Sequence, residues 1–151
     1  ITVPDNRWER VDIKTISLLP NVLAKEKARQ ASASEAWFVD SDGYITEGAS
    51  TNAWIVTTDN VLVTRDASRG ILKGITREGI LRMAEKLQIR VEERRFSIAE
   101  AKTAKEAFLT AATLLVMPVV AIDGEKIGSG TAGPIAHRLR HEFHDHADKA
   151  F

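Results

Sequence analysis

Lys14 is the first residue of this chain whose type and setting suggest chemistry. Val11, Ile13, Ile16, Leu18 and Leu19 surround it in sequence. Apolar neighbours that strip water from an ammonium lower its pKa toward the range in which the free amine attacks a carbonyl. Most lysines at a strand end simply keep their heads in solvent, so Lys14 needs company before it means anything. Glu47 is one candidate. It closes an alternating stretch just before Gly48, where the backbone has room to approach a ligand, and a carboxylate held there can keep a proton on a ring nitrogen. The ordinary alternative is a solvated glutamate.

Two further stretches suit an anion. Gly74-Ile75-Thr76 stands at a helix start, where unpaired N–H groups and the positive end of the helix dipole favour a phosphate; the competing reading is that Thr76 caps its own helix. Lys73-Gly74-Ile75-Thr76 is not a P-loop, because the glycine spacing before it is wrong. Thr110-Ala111-Ala112-Thr113 is a small-residue turn able to aim amides and hydroxyls at an anion. The four histidines, His137, His141, His144 and His146, lie together near the end of the chain. The first three share a helix face at metal-ligand spacing, but Arg138, Arg140, Glu142, Asp145 and Asp148 around them favour a solvated charged face. Gly128-Ser129-Gly130 reads as a turn leading to Pro134, without chemistry.

These residues need elements to position them. Thr2-Val3 and Arg7 to Ile13 read as extended segments, so that Lys14 ends a strand. A helix follows from about Leu18 to Ala33, with Leu19, Val22, Leu23 and Ala28 as its apolar stripe and Lys25, Lys27, Arg29 and Gln30 opposite. Glu35–Asp40 and Tyr44–Glu47 form a hairpin through Ser41-Asp42-Gly43, and Asn52–Thr57 and Val61–Thr64 form another. Residues 69–74 make a loop into a helix from Ile75 to about Leu87. Ile89–Phe96 alternates like a strand, Ser97 caps a short helix with Glu100 three residues on, and Ala107–Thr110 is a brief strand. Leu114–Ile122 is an apolar run broken by Pro118, Ile122–Ile127 closes a hairpin, and a last helix runs from Pro134 to about Lys149. Mixed strands and helices with several hairpins predict an α+β fold rather than a doubly wound sheet.

With 151 residues the chain has the size of one domain with one substantial core. Its 21 basic and 21 acidic residues balance, so no global field draws it to nucleic acid or an anionic membrane. The absence of cysteine removes disulfide, thiolate and zinc–thiolate chemistry and fits a cytoplasmic setting. No apolar run is long enough to span a membrane, and residues 1–6 lack the regions of a signal peptide. A start at Ile1 in a strand-like stretch leads to the expectation that the first half of a longer polypeptide is absent.

Taken together, four stretches resemble one family: Asp12-Ile13-Lys14-Thr15-Ile16-Ser17-Leu18-Leu19, Ile45-Thr46-Glu47-Gly48-Ala49-Ser50-Thr51-Asn52, Ile71-Leu72-Lys73-Gly74-Ile75-Thr76-Arg77, and Val119 to Gly124 with Ile127 to Gly130. They look like the C-terminal, cofactor-binding domain of the fold-type IV pyridoxal-phosphate-dependent enzymes, which include D-amino-acid aminotransferases, branched-chain aminotransferases and aminodeoxychorismate lyases. The resemblance runs in order along essentially the whole chain. It implies a mixed-sheet pseudo-barrel with flanking helices, with residues 1–151 forming that single domain and the family's N-terminal domain lying outside the chain.

The resemblance also implies roles. Lys14 matches the lysine that forms the Schiff base with the cofactor aldehyde and then shuttles a proton. Glu47 matches the carboxylate that keeps the pyridine nitrogen protonated, Leu72 an apolar residue against the ring face, and Ile75 and Thr76 the phosphate cradle. At the second phosphate turn the family usually has a threonine where this chain has Ala112, so backbone amides or Thr113 take that part. Branched-chain enzymes usually carry a tyrosine where this chain has Leu19, which favours the D-amino-acid type. The implied reaction is transamination of a D-amino acid with a 2-oxo acid. The alternatives are a branched-chain aminotransferase, a lyase releasing pyruvate from aminodeoxychorismate, and an inactive remnant used for binding or oligomerisation. The family suggests a homodimer, and its N-terminal domain supplies the groups that grip the substrate carboxylate.

Overall fold

The structure is a computed structural model that describes residues 1–68 and 70–148. Arg69, the first residue of the expected 69–74 loop, and Lys149, the expected helix end, fall outside them, as does the side chain of His146. In chain order the elements are β1 (Thr2–Pro4), α1 (Leu19–Gln30), β2 (Trp37–Val39), β3 (Ile45–Gly48), β4 (Asn52–Val56), β5 (Leu62–Thr64), α2 (Ile75–Lys86), β6 (Val91–Glu93), α3 (Ile98–Thr103), β7 (Glu106–Ala111), β8 (Leu115–Val119), β9 (Ala121–Ile122), β10 (Glu125–Lys126) and α4 (Pro134–Asp148). Both main sheets mix directions, in keeping with the expected α+β class. The larger runs β6-β5-β4-β7-β8 with only β5 and β6 parallel, and the smaller runs β1-β2-β3 with β1 and β2 parallel. No helix among the described residues is long and apolar enough to cross a membrane.

The central strand β4 has no polar face because both of its faces are covered. Ala53 and Ile55 join Trp37, Ile45, Phe96, Ala101 and Ala107 on one side. Trp54 and Val56 join Phe108, Val116, Ile80, Met83 and Leu139 on the other, beneath α2 and α4. A strand buried on both faces reads as a continuous apolar run. Pro118 is tolerated because β8 is an edge strand, where a missing N–H costs no ladder bond. The carboxylate of Glu106, buried on β7, accepts the Ile135 and Ala136 amides at 3.0 Å each and so caps α4 from across the sheet.

Two sequence expectations are corrected. Residues 7–13 form turns, not a strand, and Trp8 is exposed. After Pro4 the β1 ladder gains one bond, from the Asp5 amide to the Val39 carbonyl at 2.7 Å, and then Arg7 turns its side chain inward. Lys14 therefore lies in a loop and does not end a strand.

Helix α1 keeps Ala28 of its expected apolar stripe inside and Lys25, Lys27, Arg29 and Gln30 outside, but its large apolar residues do not turn inward. Ala24 and Ala28 face inward with Val3, Ala36, Phe38 and Ala49, while Leu19, Val22 and Leu23 are exposed. The small side chains of Ala24 and Ala28 fill this cluster, a choice of face that periodicity does not reveal.

Candidate functional site

Glu47, near the end of β3, is the centre of the site: its side chain is only 7% exposed and it collects three donors. Arg7 Nη1 donates to Oε1, Asn52 Nδ2 donates to Oε2 at 3.0 Å, and the Leu72 amide reaches both oxygens at 3.1 Å. These three donors make two contacts to each carboxylate oxygen and so fix the orientation of the group. Burial pushes the Glu47 carboxyl up to about 7, against the opposing pull of Arg7 and the Leu72 amide.

Arg7 belongs to a larger buried network. Its Nε and Nη2 clasp Asp5 at 2.9 and 2.7 Å, and its guanidinium lies 4.4 Å from the centre of the Phe38 ring. The Thr46 hydroxyl donates to Asp5 Oδ2 at 2.8 Å. Burial raises the Asp5 carboxyl, yet the hydrogen bonds and charge of Arg7 outweigh it and hold it below its ordinary value.

A pH dependence follows from Glu47. Between its ordinary value of 4.5 and about 7, the folded chain keeps a proton that the unfolded chain has released. The stability contribution of this group therefore falls as pH rises through that window and levels off above it. Glu47→Gln is expected to remove this slope in denaturant titrations between about pH 5 and about pH 8. A slope that persists unchanged in the variant would show that another group carries it.

Leu72 is half-buried in the loop before α2, and its carbonyl accepts Asn52 Nδ2 at 2.9 Å. Helix α2 starts from Gly74 with no side chain capping it. Thr76 is buried one residue inside the helix and is not its cap, so the reading of Thr76 as a helix cap does not hold. Ile75 is 70% exposed at the opening turn. A Cβ on Gly74 would collide with Asn52 Oδ1, so only glycine lets this helix start come so near the strand. Gly48 has a different reason from the one expected: its Cβ would run into Thr51 Oγ1, so what approaches it closely is the chain itself.

Ala112 and Thr113 are exposed in the turn between β7 and β8. Asn52 pairs in register with Thr110, which places that turn at the end of the large sheet where Asn52 sits. The Thr110 hydroxyl itself is taken by the Trp54 indole at 3.0 Å.

Lys14 is exposed and makes no hydrogen bond to Glu47, Leu72 or Thr76. The segment that carries it is nonetheless tied to the site at both ends, by Arg7 to Glu47 and by Asn21 Nδ2 to the Ala49 carbonyl at 2.8 Å. Its apolar neighbours do not shield it: Ile13, Ile16, Leu18 and Leu19 are 45–98% exposed. The expected desolvation is thus not supplied by this chain's own packing.

Sequence reasoning missed Arg7, Asp5 and Asn52. Asn52 left a signal, a polar residue heading the apolar run Ala53-Trp54-Ile55-Val56. Arg7 left none, since it meets Glu47 across 40 positions of sequence. His137, His141 and His144 are exposed on α4, and among the described residues no cluster of three or more His, Asp or Glu side chains could hold a metal ion.

Comparison with known proteins finds relatives along most of the chain. A family profile described as amino-transferase class IV matches residues 2–122. The D-alanine aminotransferase of Bacillus licheniformis is 43% identical over 140 residues, covering 93% of this chain and 49% of that protein. The D-alanine aminotransferase of Staphylococcus epidermidis is 41% identical over 143 residues, covering 95% of this chain and 50% of that protein. Among solved structures, the branched-chain amino acid aminotransferase from Thermobaculum terrenum in its PLP-form superimposes with a TM-score of 0.85 at 30% identity, over 90% of this chain and 45% of that one. The chain spans about half the length of the relatives it matches.

Proposed function

The chain belongs to the class IV aminotransferases, and from that premise we propose that it is the cofactor-holding part of an enzyme that exchanges the amino group of a D-amino acid, D-alanine foremost, for the oxo group of a 2-oxo acid. The observation that carries the proposal is the buried Glu47 carboxylate, fixed by three donors, beside the uncapped start of α2.

The donor set fits pyridoxal phosphate. When bound, that group supplies an aldehyde for an amine and a ring that draws electrons from the substrate carbon. Lys14 provides the amine and afterwards moves a proton to and from the substrate carbon. Glu47, whose carboxyl burial raises to about 7 while Arg7 opposes the rise, would share a proton with the ring nitrogen. Leu72 offers an apolar surface to the ring face. The amides of Ile75 and Thr76 take the phosphate at the positive end of α2, assisted by the turn at Ala112 and Thr113.

The apolar face around Lys14 requires a cover. In the whole enzyme we assign that cover to the half of the relatives' length that this chain does not span, an N-terminal domain that also grips the substrate carboxylate. The assembly is read as a homodimer in the cytoplasm. Closing that face would desolvate Lys14 and lower the pKa of its amine.

The test is uptake of pyridoxal phosphate, followed by amino transfer from D-alanine to 2-oxoglutarate. The expected result is retention of the cofactor through dialysis, with pyruvate formed only when the oxo acid is present. Faster turnover of L-leucine would favour the branched-chain reading, and pyruvate released from aminodeoxychorismate the lyase reading. A folded protein that retains no cofactor would reduce the chain to a binding or oligomerisation module.

A further inference from the structure

Asn52 is 6% exposed and stands on the first position of β4, the central strand of the large sheet. A side-chain amide has two N–H donors on one nitrogen. Here both have partners that belong to different parts of the site: Glu47 Oε2 at 3.0 Å and the Leu72 carbonyl at 2.9 Å. The Leu72 amide in turn donates to Glu47 at 3.1 Å. Glu47, Asn52 and Leu72 thus form a closed ring of hydrogen bonds, in which no member can turn without breaking a bond to another.

The other end of the same amide matters as well. Asn52 Oδ1 lies where a side chain on Gly74 would begin, so the helix start that offers its amides to a phosphate rests directly on Asn52. Through its own backbone Asn52 pairs with Thr110, next to the turn of Ala112 and Thr113. The loop at 70–74 has no regular structure of its own; Ile71 buries its side chain, and the other polar ties are weaker. Arg7 reaches the Gly70 carbonyl only at 3.5 Å, and the Lys73–Glu78 ion pair is exposed to solvent. A group held by a strand inside a packed sheet is positioned more firmly than one held by a loop.

We infer that Asn52 is a positioning residue that couples the carboxylate of Glu47 to Leu72 and to the start of α2, so that the acid, the ring-face residue and the phosphate cradle hold one fixed arrangement. The inference rests on the cofactor reading given above. No other residue type suits all of these contacts. Aspartate has the same shape but no donor and would set a second carboxylate against Glu47, whereas alanine would leave Glu47 Oε2 and the Leu72 carbonyl short of a donor.

Asn52→Asp is the decisive variant, read in two ways. In the loaded protein, the dissociation constant for pyridoxal phosphate is expected to rise at least tenfold, with a shifted pH midpoint for the near-visible band. In the cofactor-free protein, carbon NMR of labelled glutamate is expected to place the Glu47 titration above its wild-type midpoint. Gly74→Ala, which removes no polar group, presses on Asn52 from the other side and is expected to move both readings in the same direction. It carries the test if Asn52→Asp does not fold.

A folded Asn52→Asp protein that binds the cofactor within twofold of wild type, with an unmoved Glu47 midpoint, would overturn the inference. A wild-type protein that takes up no cofactor, while Asn52→Asp still shifts Glu47, would overturn the cofactor reading and leave the coupling in place.

Discussion

Lys14→Ala is expected to abolish both the near-visible absorbance of the cofactor-loaded protein and its covalent trapping by borohydride, while thermal unfolding of the cofactor-free protein stays the same. The two halves of this result have separate causes. Trapping needs a primary amine next to the aldehyde, and alanine has none. Amino transfer should fall by at least about 10³-fold, since a positioned proton carrier is lost along with the nucleophile. Stability should hold because Lys14 is exposed and makes no hydrogen bond to the rest of the site. Surface substitutions of this kind usually stay within about 0.5 kcal/mol. An absorbance band and a borohydride adduct that survive in the variant would move the Schiff-base role to another lysine. A large loss of thermal stability would mean that the loop around Lys14 bears on the fold more than its contacts indicate.

Arg7→Ala is expected to do the reverse and strike the fold first. Arg7 is the shared cation of two carboxylates, Asp5 and Glu47, whose side chains are 14% and 7% exposed. Removing one partner of a buried ion pair typically costs about 3–5 kcal/mol, because the other charge is left without compensation. The loss should depend on pH. Without Arg7 both carboxyls lose the attraction that opposes burial, so both titrate higher than in the wild type. At about pH 8 the variant must either bury carboxylate charge without its cation or take up protons that the unfolded chain has released, whereas at about pH 5.5 that cost is smaller. Denaturant unfolding should therefore show the gap between wild type and variant narrowing as pH falls. Adding Glu47→Gln to Arg7→Ala should recover much of the loss at the higher pH. A single variant within about 1 kcal/mol of wild type at about pH 8 would show that water already shares the network.

These two residues stand seven positions apart and differ in how legible they are. Lys14 can be found from its type, its neighbours and the motif around it, although neither its place in a loop nor its exposure follows from them. Arg7 carries no local mark. Its importance arises because β1 lies parallel to β2, next to β3, which brings Asp5 and Arg7 to the end of the strand that holds Glu47. The turn at Gly74 is legible as a helix start, but its dependence on Asn52 is not, because that contact joins residues from opposite sides of the β4–β5 hairpin.

Short-range chemistry can be read directly from the order of residues. The turns at Gly43, Asn60 and Asp123-Gly124 take positive φ where glycine, asparagine or aspartate permits it, and Ser97 accepts the Glu100 amide at 3.1 Å as its spacing foretells. The α+β class, the hairpins, the start of α2 and the family motifs all follow from such local rules. Tertiary structure alone decided which face of α1 turned inward, which cation met Glu47, and which amide joined Glu47 to the helix start. Periodicity records that a face is apolar, and composition that a charge exists. Neither says which surface arrives opposite it: Ala24 and Ala28 lie inside because they pack with Val3, Ala36, Phe38 and Ala49, and Glu47 sits beside Arg7 because the smaller sheet brings the two segments side by side.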